Sequence, residues 1–400
     1  MYTDVDKMQE EELHETIQKQ KIKSPDNGND LSYPFKFNLM FDTQIGPTGG
    51  IKGFLRPETA QGHFVNFRKL LEFNGGKIPF ASASIGLGFR NEISPRSGLL
   101  RVREFTMAEI EHYVDPENKS HKKFNYVKHL KLPLWTAGNQ KLHKGVVDIS
   151  LEEAVQEKLI DNETLAYFLA RTYLFLTTIG IRKDGVRFRQ HTDKEMAHYA
   201  SDCWDAEVET SYGWVEVAGH ADRTCYDLGN HTRESGIELV AAKPLKQPIV
   251  KKLVRVNLNK GNMYKTFKEK KKVIESFLEK LSDAEKDDLL KEYEANGNIT
   301  IQAEGESFTL GKEIVTLERY EITQVEEKFL PGVIEPSFGI GRIVYCVMEH
   351  CFGVRENDEK RTFFSFPPVV APYKVSIIPL VHDTEMLNFI EPISKIMKFK

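Results

Sequence analysis

Small and charged side chains alternate along residues 80–92, FASASIGLGFRNE. If this segment is a β-strand, alternate residues face opposite sides of a sheet. One side, predicted to be core, carries Ala81, Ala83, Ile85, Leu87 and Phe89. The other side carries Ser82, Ser84, Gly86, Gly88, Arg90 and Glu92. Glycines inside a strand are expected where a flat ligand, another backbone or a tightly packed helix lies against the sheet.

The following segment predicts an antiparallel partner strand whose charges are sorted along its length. SPRSG predicts a turn, and LLRVREFTMAEIEHYV follows it. The residues of one parity are Arg101, Arg103, Phe105, Met107, Glu109 and Glu111. A solvated amphipathic strand would explain the charges but not the placement of arginines near the turn and glutamates further along. This order suits a ligand with a phosphate chain at one end and an ammonium group at the other.

Two later segments predict strands with further polar groups. WVEVAG places Glu216 between apolar neighbours, and IEPSFGIGR places Glu335, Ser337 and Arg342 around a glycine-rich turn from strand to helix. As a nucleotide signal, GIGR alone is weak, because it is neither the dinucleotide fingerprint nor a P-loop. Close packing of a helix on a strand would explain it equally well.

Together these motifs carry a family resemblance. RNE at 90–92, the turn after it and R-x-x-x-F-x-x-x-E at 101–109 resemble motif 2 of the class II aminoacyl-tRNA synthetases, and GIGR at 339–342 resembles their motif 3. Together with RPETAQG at 56–62, these motifs make the sequence similar to glycyl-tRNA synthetases of the archaeal and eukaryotic type, from about residue 30 to the end. The resemblance implies an α+β fold, with a class II synthetase-like antiparallel sheet flanked by helices.

The resemblance also implies a role for each matching residue. Arg90 and Arg342 are the implied catalytic residues, Phe105 is expected to stack on adenine, and Glu216 is the implied Mg²⁺ ligand. The implied ATP-binding residues are Arg90, Asn91, Glu92, Arg101, Val102, Phe105, Glu216, Val217 and Arg342. The implied glycine-binding residues are Glu58, Glu109, Glu335, Pro336 and Ser337. The implied reaction uses ATP and Mg²⁺ to form glycyl-adenylate and then glycyl-tRNA(Gly), with diadenosine tetraphosphate synthesis as a further family activity.

Elementary chemistry is consistent with these implied roles. An amino-acid carboxylate is already ionised at pH 7, so its attack on the α-phosphorus needs positioning and charge neutralisation rather than a general base. Carboxylates crowded around one ammonium group would leave little room for a side chain. Selection of glycine would then be steric, by exclusion of any substrate with a Cβ.

The strands that carry these groups are predicted at 80–92, 101–114, 211–219 and 332–338, with helices at 59–72 and 342–352. Two insertions are expected to lie outside the sheet. The predicted segments are catalytic core at 1–115, a helical insertion at 116–200, core at 201–252, a charged insertion at 253–328, core with motif 3 at 329–370 and the start of an α/β anticodon-binding domain at 371–400.

Composition limits the class of protein. The 400 residues are 40% hydrophobic and 28% charged, close to averages for soluble folded chains, which argues against disorder. The net charge of −4 gives no overall attraction for nucleic acid or anionic membranes, so tRNA would need a local basic patch. The sequence contains neither a long apolar run nor a signal-like start, so a cytoplasmic protein without a membrane partner is predicted.

Two alternatives remain open at this stage: a truncated, non-catalytic synthetase-like binding module, and an enzyme that activates another small amino acid without tRNA. The resemblance implies that motif 1, which builds the homodimer interface of the family, lies before residue 1. It also implies that most of the anticodon-binding domain lies beyond Lys400. A homodimer is therefore expected for the full-length family and is doubtful for this chain.

Overall fold

The structure of the protein, a computed structural model, describes residues 8–381 and 384–398. It divides into two compact units. Unit 1 contains the chain up to Ala241 and again from Leu330, and unit 2 is Ala242–Phe329.

The strands of both units are numbered in chain order. They are β1 (Asp42–Ile45), β2 (Ile51–Phe54), β3 (Phe80–Phe89), β4 (Glu104–Val114), β5 (Lys131–Trp135), β6 (Val147–Ser150), β7 (Val186–Gln190), β8 (Asp202–Thr210), β9 (Gly213–Asp222), β10 (Ala241–Leu258), β11 (Asn298–Ala303), β12 (Glu306–Gly311), β13 (Val315–Phe329), β14 (Gly332–Gly339), β15 (Phe352–Arg355) and β16 (Asp358–Phe364).

The α-helices are numbered in the same way. They are α1 (Glu10–Gln20), α2 (Ala60–Val65), α3 (Phe67–Phe73), α4 (Ala137–Lys141), α5 (Leu151–Gln156), α6 (Glu163–Thr178), α7 (Tyr226–Ser235), α8 (Lys260–Phe267), α9 (Lys271–Lys280), α10 (Asp283–Asn296), α11 (Ile340–Cys351) and α12 (Thr384–Lys398).

An eight-stranded sheet organises unit 1, in the order β3-β4-β14-β9-β8-β7-β5-β6. Every neighbouring pair is antiparallel except β5 and β7, which are parallel. The expected antiparallel sheet flanked by helices is therefore confirmed. The predicted strands overlap with β3, β4, β9 and β14, with ends that differ by up to three residues, and α11 begins two residues before the predicted start at 342. The helix predicted at 59–72 is divided into α2 and α3 at Asn66.

The segment 116–200 differs from the helical insertion that was expected outside the sheet. Its strands β5, β6 and β7 extend the central sheet. Leu132 and Phe188, on β5 and β7, are fully buried in the same core cluster as Trp204 of β8 and Leu165 of α6. The short strands, four or five residues each, were missed because alternation over so few positions is a weak signal beside a 16-residue helix.

The predicted burial of the two faces of β3 was the wrong way round. Ile85 is 76% exposed and Leu87 is 40% exposed, whereas Ser82, Ser84 and Gly86 on the other face are partly buried. Phe64 and Phe67, on α2 and α3, are buried beside Tyr113 on the covered side. Alternation separates the two faces of a strand, but it does not tell which face the rest of the chain covers.

Unit 2 has a core of its own. The strand pairs β10–β13 and β11–β12 form two-stranded sheets. Apolar side chains of α9, α10 and these strands are buried together, among them Ile274, Leu290, Ile299, Leu310 and Val315. The predicted charged insertion, 253–328, lies within this unit.

The chain after α11 only partly matches its prediction. The α/β domain predicted to start at 371 requires both helices and strands, and a helix is present as α12. The apolar segment KVSIIPL, residues 374–380, pairs with no strand in the described ranges. Apolar β-branched residues do not form a strand without a partner backbone to satisfy their hydrogen bonds.

None of the helices within the described ranges is long and apolar enough to cross a membrane.

We expect Phe188→Ala to lower the free energy of unfolding by about 3–5 kcal/mol, because it leaves a cavity in the core of the sheet. Urea denaturation followed by circular dichroism measures the change. Phe73→Ala is the matched control, since the side chain of Phe73 is 95% exposed, and should stay within about 0.5 kcal/mol of the unmodified chain. Equal effects of the two changes would contradict the inclusion of residues 116–200 in the main core.

Candidate active site

A row of residues crosses the middle of the sheet from strand to strand. Antiparallel register pairs Ser84 with Glu109, Glu109 with Ser337, Ser337 with Gly219, and Gly219 with Asp205. Paired residues in a sheet point to the same face. Groups from five strands therefore meet on one face, although they are far apart in sequence.

Above this row lies a cleft of about 480 Å³, a size typical of small-molecule sites. The residues proposed from the sequence that line it are Glu58, Arg90, Glu92, Arg101, Val102, Phe105, Glu109, Glu216, Val217, Glu335, Ser337 and Arg342. Asn91 and Pro336 are not among its lining residues. The side chain of Asn91 instead donates to the Asn38 carbonyl, and Pro336 is buried within β14.

One end of the cleft is cationic. Arg342 lies in the first turn of α11. Its Nη1 donates to the Glu216 carbonyl at 2.8 Å and its Nε to the Leu100 carbonyl at 3.1 Å. The Glu216 carboxylate lies 3.6 Å from Nη1, and its side chain is 53% exposed. The guanidinium is thus oriented by backbone oxygens, and both side chains face the cleft.

Arg90 and Phe105 form the adjoining wall. The Arg90 guanidinium carbon lies 5.5 Å from the centre of the Phe105 ring, and Nε donates to the Pro57 carbonyl at 3.3 Å. A Cβ at Gly88 would lie 2.8 Å from a carbon of this ring. Gly88 therefore makes room for Phe105, rather than directly for a ligand or a helix.

Gly86 makes room for a different side chain. A Cβ there would lie 2.6 Å from Arg56 Nη2 and 3.2 Å from the Thr59 methyl group. Arg56 Nε also donates to the carbonyl of Leu87 at 2.8 Å. At both strand glycines the approaching groups are side chains of this chain, not the flat ligand, backbone or helix that was expected.

The other end of the cleft is lined by buried carboxylates. Glu109 is 2% exposed. Its Oε2 accepts hydrogen bonds from the Thr59 amide at 2.6 Å and the Thr59 hydroxyl at 2.5 Å, and its Oε1 accepts one from Ser337 at 3.2 Å. Hydrogen bonds to the ionised form hold this carboxylate in a fixed orientation.

Glu335 is paired with an arginine that the sequence analysis did not propose. Arg223 Nη1 donates to Glu335 Oε2 at 2.7 Å, while Nε and Nη2 bond to Asp227 at 2.7 and 2.9 Å. Arg223 is 2% exposed, and its guanidinium carbon lies 4.1 Å from the centre of the Tyr199 ring. Its Nη2 also lies 3.9 Å from the Glu58 carboxylate.

Negative charge exceeds positive charge at this end. Ligand atoms of Glu109, Glu111 and Glu335 all lie within 4.8 Å of one another. Burial raises the pKa of Glu335 to about 7, an effect that Arg223 opposes and Glu109 reinforces. Burial and then Glu335 also raise the pKa of Glu111, whose oxygens have no hydrogen-bond partner among the described residues. Such a cluster favours a bound cation.

The sequence analysis did not propose three residues of this end as site residues, although the sequence contains weak signals for them: Arg223, Asp227 and Glu111. Arg223 and Asp227 are four residues apart, the spacing of a helical ion pair, and Glu111 has the same strand parity as Glu109. Arg103, which has the same strand parity as Glu109, donates to the Glu92 carbonyl at 3.0 Å and makes no bond to these glutamates in the described hydrogen bonds.

Comparison with known proteins identifies the family to which the chain belongs. Residues 50–351 match the family model described as "tRNA synthetase class II core domain (G, H, P, S and T)". A glycine–tRNA ligase of Methanocaldococcus jannaschii is 44% identical over 393 residues, which are 97% of this chain and 68% of that protein. The chain belongs to the glycine–tRNA ligase family of class II synthetases.

Eukaryotic members of the glycine–tRNA ligase family are similar over nearly the whole chain. That of Drosophila melanogaster is 52% identical over 98% of this chain and 51% of its own length. Glycine–tRNA ligase 2 of Saccharomyces cerevisiae is 48% identical over 99% of this chain and 64% of its own length. The chain spans about half the length of the animal relatives that it matches.

We expect Arg223→Met to lower the free energy of unfolding at pH 7 by about 3–5 kcal/mol, because it leaves Glu335 and Asp227 buried without their cation. Arg223 opposes the rise in the pKa of Glu335, so without it folded Glu335 binds a proton more readily and the deficit should be smaller at about pH 5.5. Urea titrations at the two pH values measure this.

Arg233→Met on α7 is the control, because its side chain is 69% exposed and its bonds to Glu234 and Asn230 lie at the surface. Its effect should stay within about 0.5 kcal/mol at both pH values. A deficit for Arg223→Met that grows as the pH falls would contradict the assigned role of Arg223.

Proposed function

We propose that this chain carries the catalytic core of a glycine–tRNA ligase, which activates glycine with ATP and transfers it to the 3′ end of tRNA(Gly). The observation that carries the proposal is the division of one cleft into an arginine end and a buried carboxylate end. Glycine and ATP together present complementary charges, an ammonium group at one end and a triphosphate at the other.

In the first step a glycine carboxylate oxygen attacks the α-phosphorus of ATP. A P–O bond to glycine forms, the bond to the pyrophosphate oxygen breaks, and pyrophosphate leaves with the electron pair. The glycine carboxylate is ionised at neutral pH, so no side chain has to remove a proton. Arg90 and Arg342 neutralise the crowded negative charge and hold the phosphates in line.

The carboxylate end holds the glycine ammonium group. Glu109, Glu335 and Glu58 offer acceptor oxygens, and Ser337 lies beside Glu109 on the neighbouring strand. Since Glu109 and Glu335 are fixed by hydrogen bonds, they cannot easily move aside for a larger amino acid. Selection of glycine would follow from size, and rejection of alanine would rest on steric conflict at its Cβ.

In the second step a ribose hydroxyl at the 3′ end of tRNA attacks the carbonyl carbon of glycyl-adenylate. An ester bond forms, the hydroxyl proton is lost and AMP leaves. The names of the relatives support tRNA as the acceptor. A cytoplasmic location and diadenosine tetraphosphate synthesis belong to the same proposal through the family resemblance, whereas a homodimer is proposed for the full-length family only.

Glu216 is a suitable ligand for Mg²⁺. Its carboxylate is half-exposed at the cleft, beside the arginines that would contact the phosphates. Mg²⁺ in nucleotide sites is usually held by one or two carboxylates together with phosphate oxygens and water, so a single carboxylate at this position fits. When bound, the ion would add positive charge against the phosphates.

The direct test is ATP–pyrophosphate exchange with each amino acid in turn, followed by charging of tRNA(Gly). We expect exchange with glycine and much weaker exchange with alanine and serine. Exchange with another amino acid in preference to glycine would identify a different substrate. Absence of exchange with every amino acid would favour a non-catalytic binding module.

We expect Arg90→Ala or Arg342→Ala to raise the activation barrier of glycine-dependent exchange by about 2.7–4 kcal/mol, as for removal of a preorganised donor. Arg90→Lys should remain impaired, because an ammonium group cannot contact two oxygens as a planar guanidinium does. Arg68→Ala, at an exposed position on α3, is the control and should keep normal activity. Full exchange activity of Arg90→Lys would rule out bidentate binding.

Glycine binding should weaken as the pH falls through about 7, the pKa to which burial raises Glu335. Glycine keeps its charges over this range, whereas protonation of Glu335 removes negative charge from the ammonium site. The KM for glycine should therefore rise about tenfold between about pH 8 and about pH 6. The KM for ATP should change much less over this pH range. In Glu335→Gln the KM for glycine should not change with pH. If the KM for glycine of the unmodified chain did not change with pH, the assigned role of Glu335 protonation would be contradicted.

A further inference from the structure

A continuous chain of hydrogen bonds leads from the edge strand β3 to the carboxylate of Glu109. The Ser82 hydroxyl lies 2.7 Å from His63 Nδ1, and the Ser84 hydroxyl lies 2.8 Å from His63 Nε2. Ser84 Oγ lies 3.0 Å from Thr59 Oγ1, which lies 2.5 Å from Glu109 Oε2. His63, 8% exposed, bridges the two serines from α2.

The chemistry of the groups fixes the direction of every bond in this chain. An ionised carboxylate only accepts, so the Thr59 hydroxyl donates its proton to Glu109. Thr59 Oγ1 then accepts the Ser84 proton, and Ser84 Oγ must accept from His63 Nε2–H. His63 Nδ1 carries no proton in the neutral ring and accepts from Ser82. A single neutral tautomer of His63 satisfies all four bonds.

The surroundings of His63 favour this neutral form. Burial lowers its pKa, and Glu109 only partly opposes the shift. A neutral ring orders Ser84 and Thr59 without placing a positive charge beside the acidic end of the cleft. A cation at this position would compete with a bound ammonium group for the charge of Glu109.

We propose that His63 is a positioning residue for the amino-acid ammonium subsite, acting through Ser84 and Thr59 to orient the Glu109 carboxylate. This inference rests on the proposed activation of glycine. It assigns part of the affinity of the site for glycine to residues that do not touch the substrate. Glu109 Oε2 receives two bonds from Thr59, so the direction of the Thr59 hydroxyl helps to set the plane of the carboxylate. Ser84 and His63 in turn hold that hydroxyl.

The test compares Ser84→Ala with His63→Phe. Each variant removes one of the two partners of the hydrogen bond between His63 Nε2 and Ser84 Oγ. Each should raise the KM for glycine about fivefold, as expected for the loss of about one hydrogen bond, with the KM for ATP and kcat nearly unchanged. The double variant should be no worse than either single variant, because both remove the same path. Ser84→Thr keeps the hydroxyl and should restore near-normal glycine affinity. If one variant fails to fold, the other still decides the outcome.

Thr172→Ala is the matched control. Thr172 Oγ1 makes a buried bond of 2.7 Å to His220 Nε2, and this pair has no link to Glu109 in the described hydrogen bonds. Loss of this bond should reduce stability without changing the KM for glycine. If Thr172→Ala raised that KM as much as Ser84→Ala, or if Ser84→Ala left it within twofold of normal, the positioning role would be overturned.

A second readout is independent of activity. In ¹⁵N-histidine NMR spectra the His63 signal, assigned by its loss in His63→Phe, should show the Nε2–H tautomer at neutral pH. An Nδ1–H tautomer or a doubly protonated ring would overturn the derived direction. If the unmodified chain neither binds glycine nor catalyses exchange, the proposed function and this inference both fail. If the unmodified chain catalyses normal exchange and Ser84→Ala has the same KM for glycine, the positioning role of His63 fails and the proposed function stands.

Discussion

The ion pairs of Arg223 are the interaction on which the rest of the site depends. Carboxylates buried as deeply as Glu335 and Asp227 would be too costly to ionise without a cation beside them. Arg223 bonds to both and lies near Glu58, so a single guanidinium connects the end of β9 with α7, with β14 and with the segment before α2. The acidic end of the cleft keeps its charge because of this arginine.

The two ends of the cleft differ in burial as well as in charge. Arg90 is exposed and Arg342 is partly exposed, whereas Glu109 and Glu335 are almost completely buried. Solvent screens the arginines, so these can hold and release a highly charged phosphate chain. The buried carboxylates are poorly screened, so in the proposed function each contact with the ammonium group of the substrate would be stronger than a contact at the surface. In the proposed function, one sheet face would thus combine loose binding of phosphate with selective binding of an amine.

The strands β5–β7 show how the rest of unit 1 supports this face. Arg189, on β7, bonds to Asp205 on β8 at 2.7 Å, and His191 lies 2.9 Å from the same carboxylate. Asp205 ends the row of paired residues that begins at Ser84. A segment that could be taken as peripheral from its helices therefore supplies the neighbours of a wall of the cleft, and its packing and the site geometry are linked through β8.

The amino-acid sequence by itself determined which side chains could share a face and which elements would carry them. The period of two in β3 and β4, and the spacing from Arg90 to Glu109, are local properties of the backbone, so they could be read directly. Only the tertiary structure decided which face of β3 is covered, that β5–β7 join the sheet, and that Arg223 meets Glu335 from 112 residues away. Those outcomes depend on packing and charge between distant segments, and no local pattern contains that information.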